Sequence, residues 1–513
     1  MNARIPPVLR PEHPSARSLK GLATEFGLET RGSTDSVYVT GVTLRTTEVQ
    51  PGDLYVGMPG AHSHGAAYAA QAREAGAVAL LTDAAGAELA AGSGLPVVLV
   101  DSPRAALGDV SAWVYRTTEH PPLLLGITGT NGKTSTAYIL EGILRQLGLV
   151  TGLSSTAERH IGDLNVVSRL TTPEASEMHA LLARMSESEV RAVVLEVSAQ
   201  ALSANRVDGI VFDVVAFTNL SHDHLDDYAG MEEYLAAKAA FFEPERGRRG
   251  VVSLDSPYGE RVVGLSRIPV TTISAMPGVT GDWNLEILDE RAAYTQFALT
   301  GPDGRSLTTR VPLIGWHMAA NAGLAIVMLV EAGFELEAIG HALGENGIVA
   351  YLPGRTERVS GETGPSVYVD FGHSPDAFLN TLQAVRKFTP GRVIMVFGAD
   401  GDRDATKRHE MGRVASEGSD ILVVTDHHPR FEDPGSIRAT LIEGARLAEH
   451  PAEISEVSPP EKAIRRAVAI AEEGDSILWA GPGHQDYRDI RGVRTPYSAR
   501  AEARAALSES GWL

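Results

Sequence analysis

The sequence predicts an α/β protein of three domains, the central one built on a parallel sheet of the P-loop ATPase type. Three observations predict it. At 513 residues the chain has room for roughly three domains. Its hydrophobic content of 43% and charged content of 21% are those of a globular protein. From about residue 120 onward, short apolar runs alternate with helical stretches, the pattern of a parallel sheet with helices on its faces.

The first unit is read over residues 1–119. Pro6, Pro7, Pro11 and Pro14 precede a short helical stretch around Leu19 to Phe26, so the head is expected to be loosely ordered. VYVTGVTLRTTEVQPGDLYVGM then holds two strand-like runs split by a Pro-Gly-Asp turn. AAYAAQAREAGAVALLTD reads as helix, glycine and strand, and LPVVLVDS as another strand, which makes a small α/β unit.

The second unit is read over residues 120–350 and opens on the stretch that organises the chain. Leu123-Leu124-Leu125 is a buried strand by its apolar run, and Thr136 to Leu140 begins a helix. Between them lie Gly129, Thr130, Asn131, Gly132, Lys133, Thr134 and Ser135. Glycines allow a tight turn that aims N–H groups at anionic oxygens, and the helix N-terminus adds partial positive charge. A lysine at position 133 reaches terminal phosphates, and a threonine hydroxyl at 134 suits Mg²⁺. The general motif G-x-x-x-x-G-K-[ST] is matched only in its second half, because Ile127 stands where its first glycine belongs. RAVVLEVSAQ ends a strand in Glu196 and Ser198, and FDVVAFTNLSHDHLDDY ends another in a polar cluster. Ligands in open α/β sheets sit at the carboxyl ends of strands, so both exits are expected to converge on the phosphate loop. Residues 284–312 read as antiparallel strands around a GPDG turn, and GWHMAANAGLAIVMLVEAG as a long helix.

The third unit, residues 351–513, is read as Rossmann-like. VYVDFGHSPDAF, RVIMVFGADGDRD, DILVVTDHHPR and SILWAGPGHQDY are four strands, each leaving in a polar loop. Those loops offer Asp370, His373, Arg403 and the run Asp426-His427-His428-Pro429-Arg430. Arginine grips carboxylate or phosphate in bidentate fashion, so Arg403 and Arg430 on neighbouring exits suit a carboxylated substrate; an interdomain salt bridge is the alternative for each. Adjacent residues on an extended loop point apart, which argues against one metal using both His427 and His428.

In the second unit Glu196 is a hard oxygen ligand suited to Mg²⁺. His224 lies in a loop with several alternative ligands, where a capping role is equally open. Lys238, fourteen residues on, reads from its helix alone as a solvated lysine. Composition narrows the partners. Cysteine is absent, which removes disulfides and thiolate metal sites and fits a reducing cytoplasm. Lys+Arg of 45 against Asp+Glu of 65 leaves −20, which argues against general nucleic-acid binding. The opening segment has no apolar core of a secretory leader, and no run approaches the ~18 apolar residues of a membrane span.

On these motifs the chain resembles the Mur ligases over nearly its whole length, and among them the enzymes that add the third peptide residue of the peptidoglycan precursor. GTNGKTS is similar to the family's ATP loop. The resemblance implies Thr171, Thr172, Ser198 and Arg206 on a UDP-N-acetylmuramoyl-dipeptide, with Leu44, Thr46 and the stretch Ala61-His62-Ser63 ahead of Gly65 on its uridine side. It implies Thr134, Glu196, His224 and a carbamylated Lys238 around two Mg²⁺ ions, and Asn321, Arg355 and Asp370 on ATP. Arg403, His427, His428, Arg430, Gly481 and Gln485 fall on the amino-acid side. The implied reaction phosphorylates the D-glutamyl carboxylate, and a free amino acid then displaces phosphate. A cytoplasmic monomer is implied, without membrane insertion.

Four stretches depart from the family pattern. Leu44-Arg45-Thr46-Thr47 stands for Leu-Asp-Ser-Arg, and Ser198-Ala199-Gln200 for Ser-Ser-His. His427-His428-Pro429-Arg430 stands for the Asp-Asn-Pro-Arg of diaminopimelate-adding enzymes, and Gly481-Pro482-Gly483-His484-Gln485 for their Gly-Lys-Gly-His-Glu. Diaminopimelate, lysine, ornithine, diaminobutyrate and homoserine therefore all stay open as the added residue. Two alternatives stand beside this reading: a folylpolyglutamate synthase-like ligase, and a non-catalytic nucleotide-binding protein on the same scaffold. About 120 residues ahead of the phosphate loop favour the first reading over the folate one.

Overall fold

The long helix Lys133–Gln146 buries Ala137, Ile139, Leu140, Ile143 and Leu144 between the central sheet and a second helix, Trp316–Glu331. Each of these Ile and Leu side chains contributes roughly 1.5–3 kcal/mol by leaving water, so this face anchors the loop at the helix's N-terminus. The structure is a computed structural model and describes residues 8–223 and 225–513, the side chain of Asp303 apart.

Among the described residues the chain forms three α/β domains, each on its own sheet. In the first, Gly41–Thr43, Asp53–Val56, Ala79–Thr82 and Val97–Leu99 run parallel, with Thr30–Arg31 antiparallel at the edge. Pro6 and Pro7 lie outside the described residues, and from residue 8 onward the head is better ordered than its prolines suggest. Arg10 pairs with the buried Asp53 at 2.7 Å, and Arg17–Ser18 pairs with Tyr38–Val39.

Among the described residues the central sheet has eleven strands. Its parallel core places Leu123–Thr128 between Ala192–Glu196 and Phe212–Phe217. The chain builds one side of Leu123–Thr128 and then crosses to the other, which makes that strand's carboxyl end a topological switch point. Registers align the exits: Glu196 lies beside Ile127, and Phe217 beside Thr128. The antiparallel strands Trp283–Arg291, Tyr294–Thr300 and Ser306–Val311 close one edge. The other edge carries a hairpin, Glu158–Ile161 with Leu164–Val167, that lacks the apolar run of a typical strand.

In the third domain Ser366–Asp370, Ser476–Ala480, Val393–Phe397, Ile421–Val424 and Glu453–Glu456 are parallel, and Glu357–Arg358 is antiparallel at the edge. Asp370 and Phe397 both lie level with Ala480, and Val424 with Phe397, so the loops leaving these strands emerge at one end. No described helix is long and apolar enough to cross a membrane.

Candidate functional site

A cavity of about 550 Å³ lies where the exits of the central and third sheets meet. The phosphate loop forms its floor. Gly129 and Gly132 have φ of +149° and +88°, and an added Cβ would meet Thr218 Oγ1 and Asn321 Oδ1 respectively. Only glycine fits these turns. Lys133 Nζ donates to the carbonyls of Gly129 at 2.8 Å and Thr130 at 3.0 Å. Desolvation lowers its pKa from the ordinary lysine value, against the pull of Glu196 and Asp223. Asn131 bridges the two domains, donating toward Ser221 Oγ and toward Ser374 Oγ of the third domain.

The strand exits supply the wall. Glu196 is fully buried, and both its oxygens accept from Thr156: backbone N–H to Oε1 at 3.0 Å and hydroxyl to Oε2 at 2.9 Å. Thr171 and Thr172 divide their work. The Thr171 hydroxyl meets that of Thr156 at 3.0 Å and lines the cavity. The Thr172 hydroxyl donates to the Glu196 carbonyl at 2.8 Å and accepts from the Ser198 N–H at 3.1 Å. Ser198 caps the helix Ala199–Ser203, and Arg206 donates to Glu174 at 3.1 Å.

Lys238 is not a solvated helix lysine. It is 1% exposed, its Nζ donates to the Gly129 carbonyl at 2.8 Å, and it lies 4.5 Å from the Tyr234 ring centre. Desolvation, then repulsion from Lys133, pushes its pKa well below the ordinary value. His224 lies outside the described residues. Arg355 comes in from the linker before the third domain. It donates to the Thr134 hydroxyl at 2.9 Å and lies 4.3 Å from the Phe371 ring centre. Asp370 accepts from the backbone N–H of Thr356 at 2.8 Å and Gly372 at 2.6 Å, which fixes that linker against the sheet.

At the far wall His427 Nδ1–H donates to Asp400 Oδ1 at 2.7 Å, and Arg430 to Asp400 Oδ2 at 3.3 Å. Burial works against the Asp400 charge, but His427, His428 and Arg430 outweigh it and hold the carboxyl well below its usual range. His428 takes the Asp489 N–H on Nδ1 at 3.0 Å, which leaves Nε2–H to donate to Gln485 Oε1 at 2.8 Å. Burial, then His427, lowers the His428 pKa to about 3. The two histidine rings do not point apart, as their adjacency suggested. Their centres are 4.1 Å apart, with His427 bonded to Asp400 on the cavity wall and His428 to Gln485 behind it. Ligand atoms of Asp400, His427 and His428 fall within 4.8 Å of one another. Both His428 nitrogens are already committed and Arg430 faces Asp400, so the group is a charge-matched polar cluster.

Lys133, Thr134, Glu196, Lys238, Asn321, Arg355, Asp370, Arg403, His427 and Arg430 all line this one cavity. Thr171, Thr172, Ser198 and Arg206 do so beside them. Gly481, His428 and Gln485 stand behind the wall, where the Gly481 N–H donates to the Asp370 carbonyl at 3.0 Å. Leu44 and Thr46 lie in the first domain away from the cavity. Their turn is tied to the central domain by Glu48, which pairs at 2.8 Å with Arg169, two residues before Thr171. Sequence reasoning missed Thr156 and Asp400, and also Lys407, whose Nζ meets the buried Asp223 at 2.6 Å across the domain junction. Asp400 had a signal: it shares a strand exit with Arg403.

Sequence patterns of three domains match this chain. They are the Mur ligase family catalytic domain over residues 38–115, the Mur ligase middle domain over 127–329, and the Mur ligase glutamate ligase domain over 354–483. A protein of Leifsonia xyli subsp. xyli named UDP-N-acetylmuramyl-tripeptide synthetase is 60% identical, covering 100% of both chains. A Streptomyces coelicolor protein named UDP-N-acetylmuramoyl-L-alanyl-D-glutamate--2,6-diaminopimelate ligase is 42% identical over 98% of each. A solved structure of a UDP-N-acetylmuramoyl-L-alanyl-D-glutamate--2,6-diaminopimelate ligase superposes with a TM-score of 0.66. It is 24% identical and covers 97% of this chain and 100% of its own.

Proposed function

The chain belongs to the Mur ligase family of ATP-dependent acid–amino-acid ligases, and from that premise we propose how its cavity joins an amino acid to a UDP-N-acetylmuramoyl peptide. The acceptor is UDP-N-acetylmuramoyl-L-alanyl-D-glutamate and the added amino acid is the third peptide residue. One observation carries this reading: the phosphate loop, the Thr171–Arg206 wall and the Asp400–Arg430 wall face a single cavity of about 550 Å³. Three substrates need such a meeting point, since aligned reactants gain most of their rate from proximity.

We assign residues 1–119 to the UDP moiety through Leu44 and Thr46, 120–350 to ATP, and 351–513 to the amino acid. Gly129 to Ser135, with Asn321, Arg355 and Asp370, hold ATP. Lys133 neutralises charge developing on the transferred phosphoryl group. Thr171, Thr172, Ser198 and Arg206 orient the dipeptide so that its D-glutamyl carboxylate faces the phosphoryl group. Arg403, His427, His428, Arg430, Gly481 and Gln485 shape the amino-acid end. The amine of the incoming residue attacks the acyl phosphate, and the tetrahedral adduct releases phosphate as the amide forms. Domain closure excludes water, which would hydrolyse the acyl phosphate.

The donor set fits Mg²⁺. Glu196 and Thr134 are hard oxygen donors on one cavity, and the Thr134 hydroxyl already faces a cationic group, the Arg355 guanidinium. Thr134, Glu196, His224 and Lys238 as its carbamate would hold two ions, which supply charge neutralisation for phosphoryl transfer. A carbamate forms when a neutral amine adds to CO₂ with loss of a proton, and the depressed Lys238 pKa favours the neutral amine. With ATP and a nucleotide sugar as substrates, the reading is of a cytoplasmic monomer.

The test is phosphate release by purified protein with ATP, Mg²⁺, the UDP-dipeptide and an amino-acid panel, with products weighed by mass spectrometry. The reading requires a UDP-tripeptide. No product with any amino acid overturns it.

A further inference from the structure

This inference rests on the ligase reading and concerns which amino acid is taken. The exits of Val393–Phe397 and Ile421–Val424 present Asp400, Arg403, His427 and Arg430 to the cavity, and their charges are not equivalent. Arg430, with φ of +49°, spends its charge on Asp400 at 3.3 Å. Arg403 is exposed, and among the described residues no carboxylate pairs with it. The Asp400 carboxylate accepts one hydrogen bond from His427 and one from Arg430. A carboxylate has about four acceptor directions, so capacity remains, and the side chain is 32% exposed on the cavity wall. His428 and Gln485 are turned toward each other behind that wall. Among the described residues the amino-acid end thus offers an unmatched cation, Arg403, and a carboxylate with room for a donor, Asp400.

We propose that Asp400 is the specificity-determining residue, accepting the side-chain ammonium of a diamino acid with a single carboxylate while Arg403 holds that carboxylate. A distal second carboxylate, as in diaminopimelate, would approach Asp400 with the charge of Arg430 already matched, and like charges in a closed site repel. An uncharged side chain such as that of homoserine would bring only a neutral donor to the remaining acceptor directions of Asp400. The selected class is that of lysine, ornithine and 2,4-diaminobutyrate, and chain length follows from the assay below.

The experiment measures kcat and KM of the wild type and of Asp400→Asn with ATP and the UDP-dipeptide. The amino acids are lysine, ornithine, 2,4-diaminobutyrate, norleucine, homoserine and meso-diaminopimelate, each alone. One of the three diamino monocarboxylic acids should exceed the last three at least tenfold in kcat/KM. Asp400→Asn should lower that value at least tenfold through KM, narrow the margin over meso-diaminopimelate, and leave the KM of ATP and UDP-dipeptide within twofold. Asp400→Glu, which keeps the charge, should keep the preference, and thermal unfolding of each variant checks that it folds. Preference for meso-diaminopimelate, homoserine or norleucine keeps the ligase but overturns the inference. So does a loss in Asp400→Asn that falls equally on all six. Phosphate release with none of them removes the ligase reading, and this inference with it.

Discussion

Lys133 and Lys238 donate to one and the same acceptor, the Gly129 carbonyl, each at 2.8 Å. Two ammonium groups on one oxygen repel, and the fully buried one yields: Lys238 is desolvated first and opposed by Lys133 second. A neutral amine on the cavity wall is the form that takes up CO₂, and the resulting carbamate turns repulsion of Lys133 into attraction. Lys238→Ala should lose at least about 100-fold in kcat, the scale of removing one electrostatic group from a reacting centre. Added short carboxylates should restore part of it. Carbon-13 NMR of protein equilibrated with labelled CO₂ should show a carbamate signal in the wild type that is missing in the variant. An identical spectrum in both would defeat the assignment.

Lys133→Ala removes the loop's own cation. Among the described residues its Nζ bonds only to loop carbonyls, so the fold should keep its unfolding temperature while ligation falls at least about 100-fold. Turnover near the wild-type rate would move the phosphate site elsewhere.

The neighbouring threonines should separate in a mutant series. Thr172 joins the Glu196 carbonyl to the Ser198 N–H inside the protein, so Thr172→Val strands two buried backbone groups. That should cost about 1–3 kcal/mol of stability. Thr171 spends its hydroxyl on Thr156 at the cavity surface, so Thr171→Val should instead raise the KM for the UDP-dipeptide several-fold with little change in stability. Denaturant titration and steady-state kinetics on both variants decide, and equal effects on stability would remove the division of labour.

What was legible in the sequence was whatever an apolar strand announces. Leu123–Thr128 and Ala192–Glu196 are runs of apolar, buried side chains, so the sequence by itself sets the loop after Thr128 and the carboxylate at Glu196 at strand exits. The Glu453–Glu456 strand and the Glu158–Val167 hairpin carry mostly polar or half-exposed residues and gave no such run. The helix of Lys238 alone suggests a solvated lysine, because its burial comes from elements distant in sequence, the Gly129 carbonyl above all. Asp400 was passed over for a related reason. Its meaning comes from His427 and Arg430, 27 and 30 residues later, and no local pattern encodes that meeting. The described part of the head, from residue 8 onward, is a third case, held by Arg10 on Asp53 across 43 residues.

Behind the phosphate-loop helix His160 is buried between Glu141, at 2.8 Å from Nδ1, and Glu158, at 3.3 Å from Nε2. Burial alone would push its pKa down. Hydrogen bonds to the Glu141 and Glu158 carboxylates outweigh burial and raise it to about 9, against about 6.5 in an unfolded chain. The folded state therefore binds the proton more tightly than the unfolded one. Its stabilisation is fully present below pH ~6.5 and is lost as pH rises through about 9. The strands Thr151–Ser154 and Glu158–Ile161 and the helix Lys133–Gln146 should thus open more readily as pH climbs across that window. Hydrogen exchange of their amides, corrected for the intrinsic pH dependence, measures this directly. In His160→Gln the protecting segment of the pH dependence should vanish, leaving a flatter profile and weaker protection at pH 6.5. Wild-type protection that holds constant or grows between pH 6.5 and 9 would show that His160 is neutral in the folded protein, and that one of the two glutamates carries the proton instead.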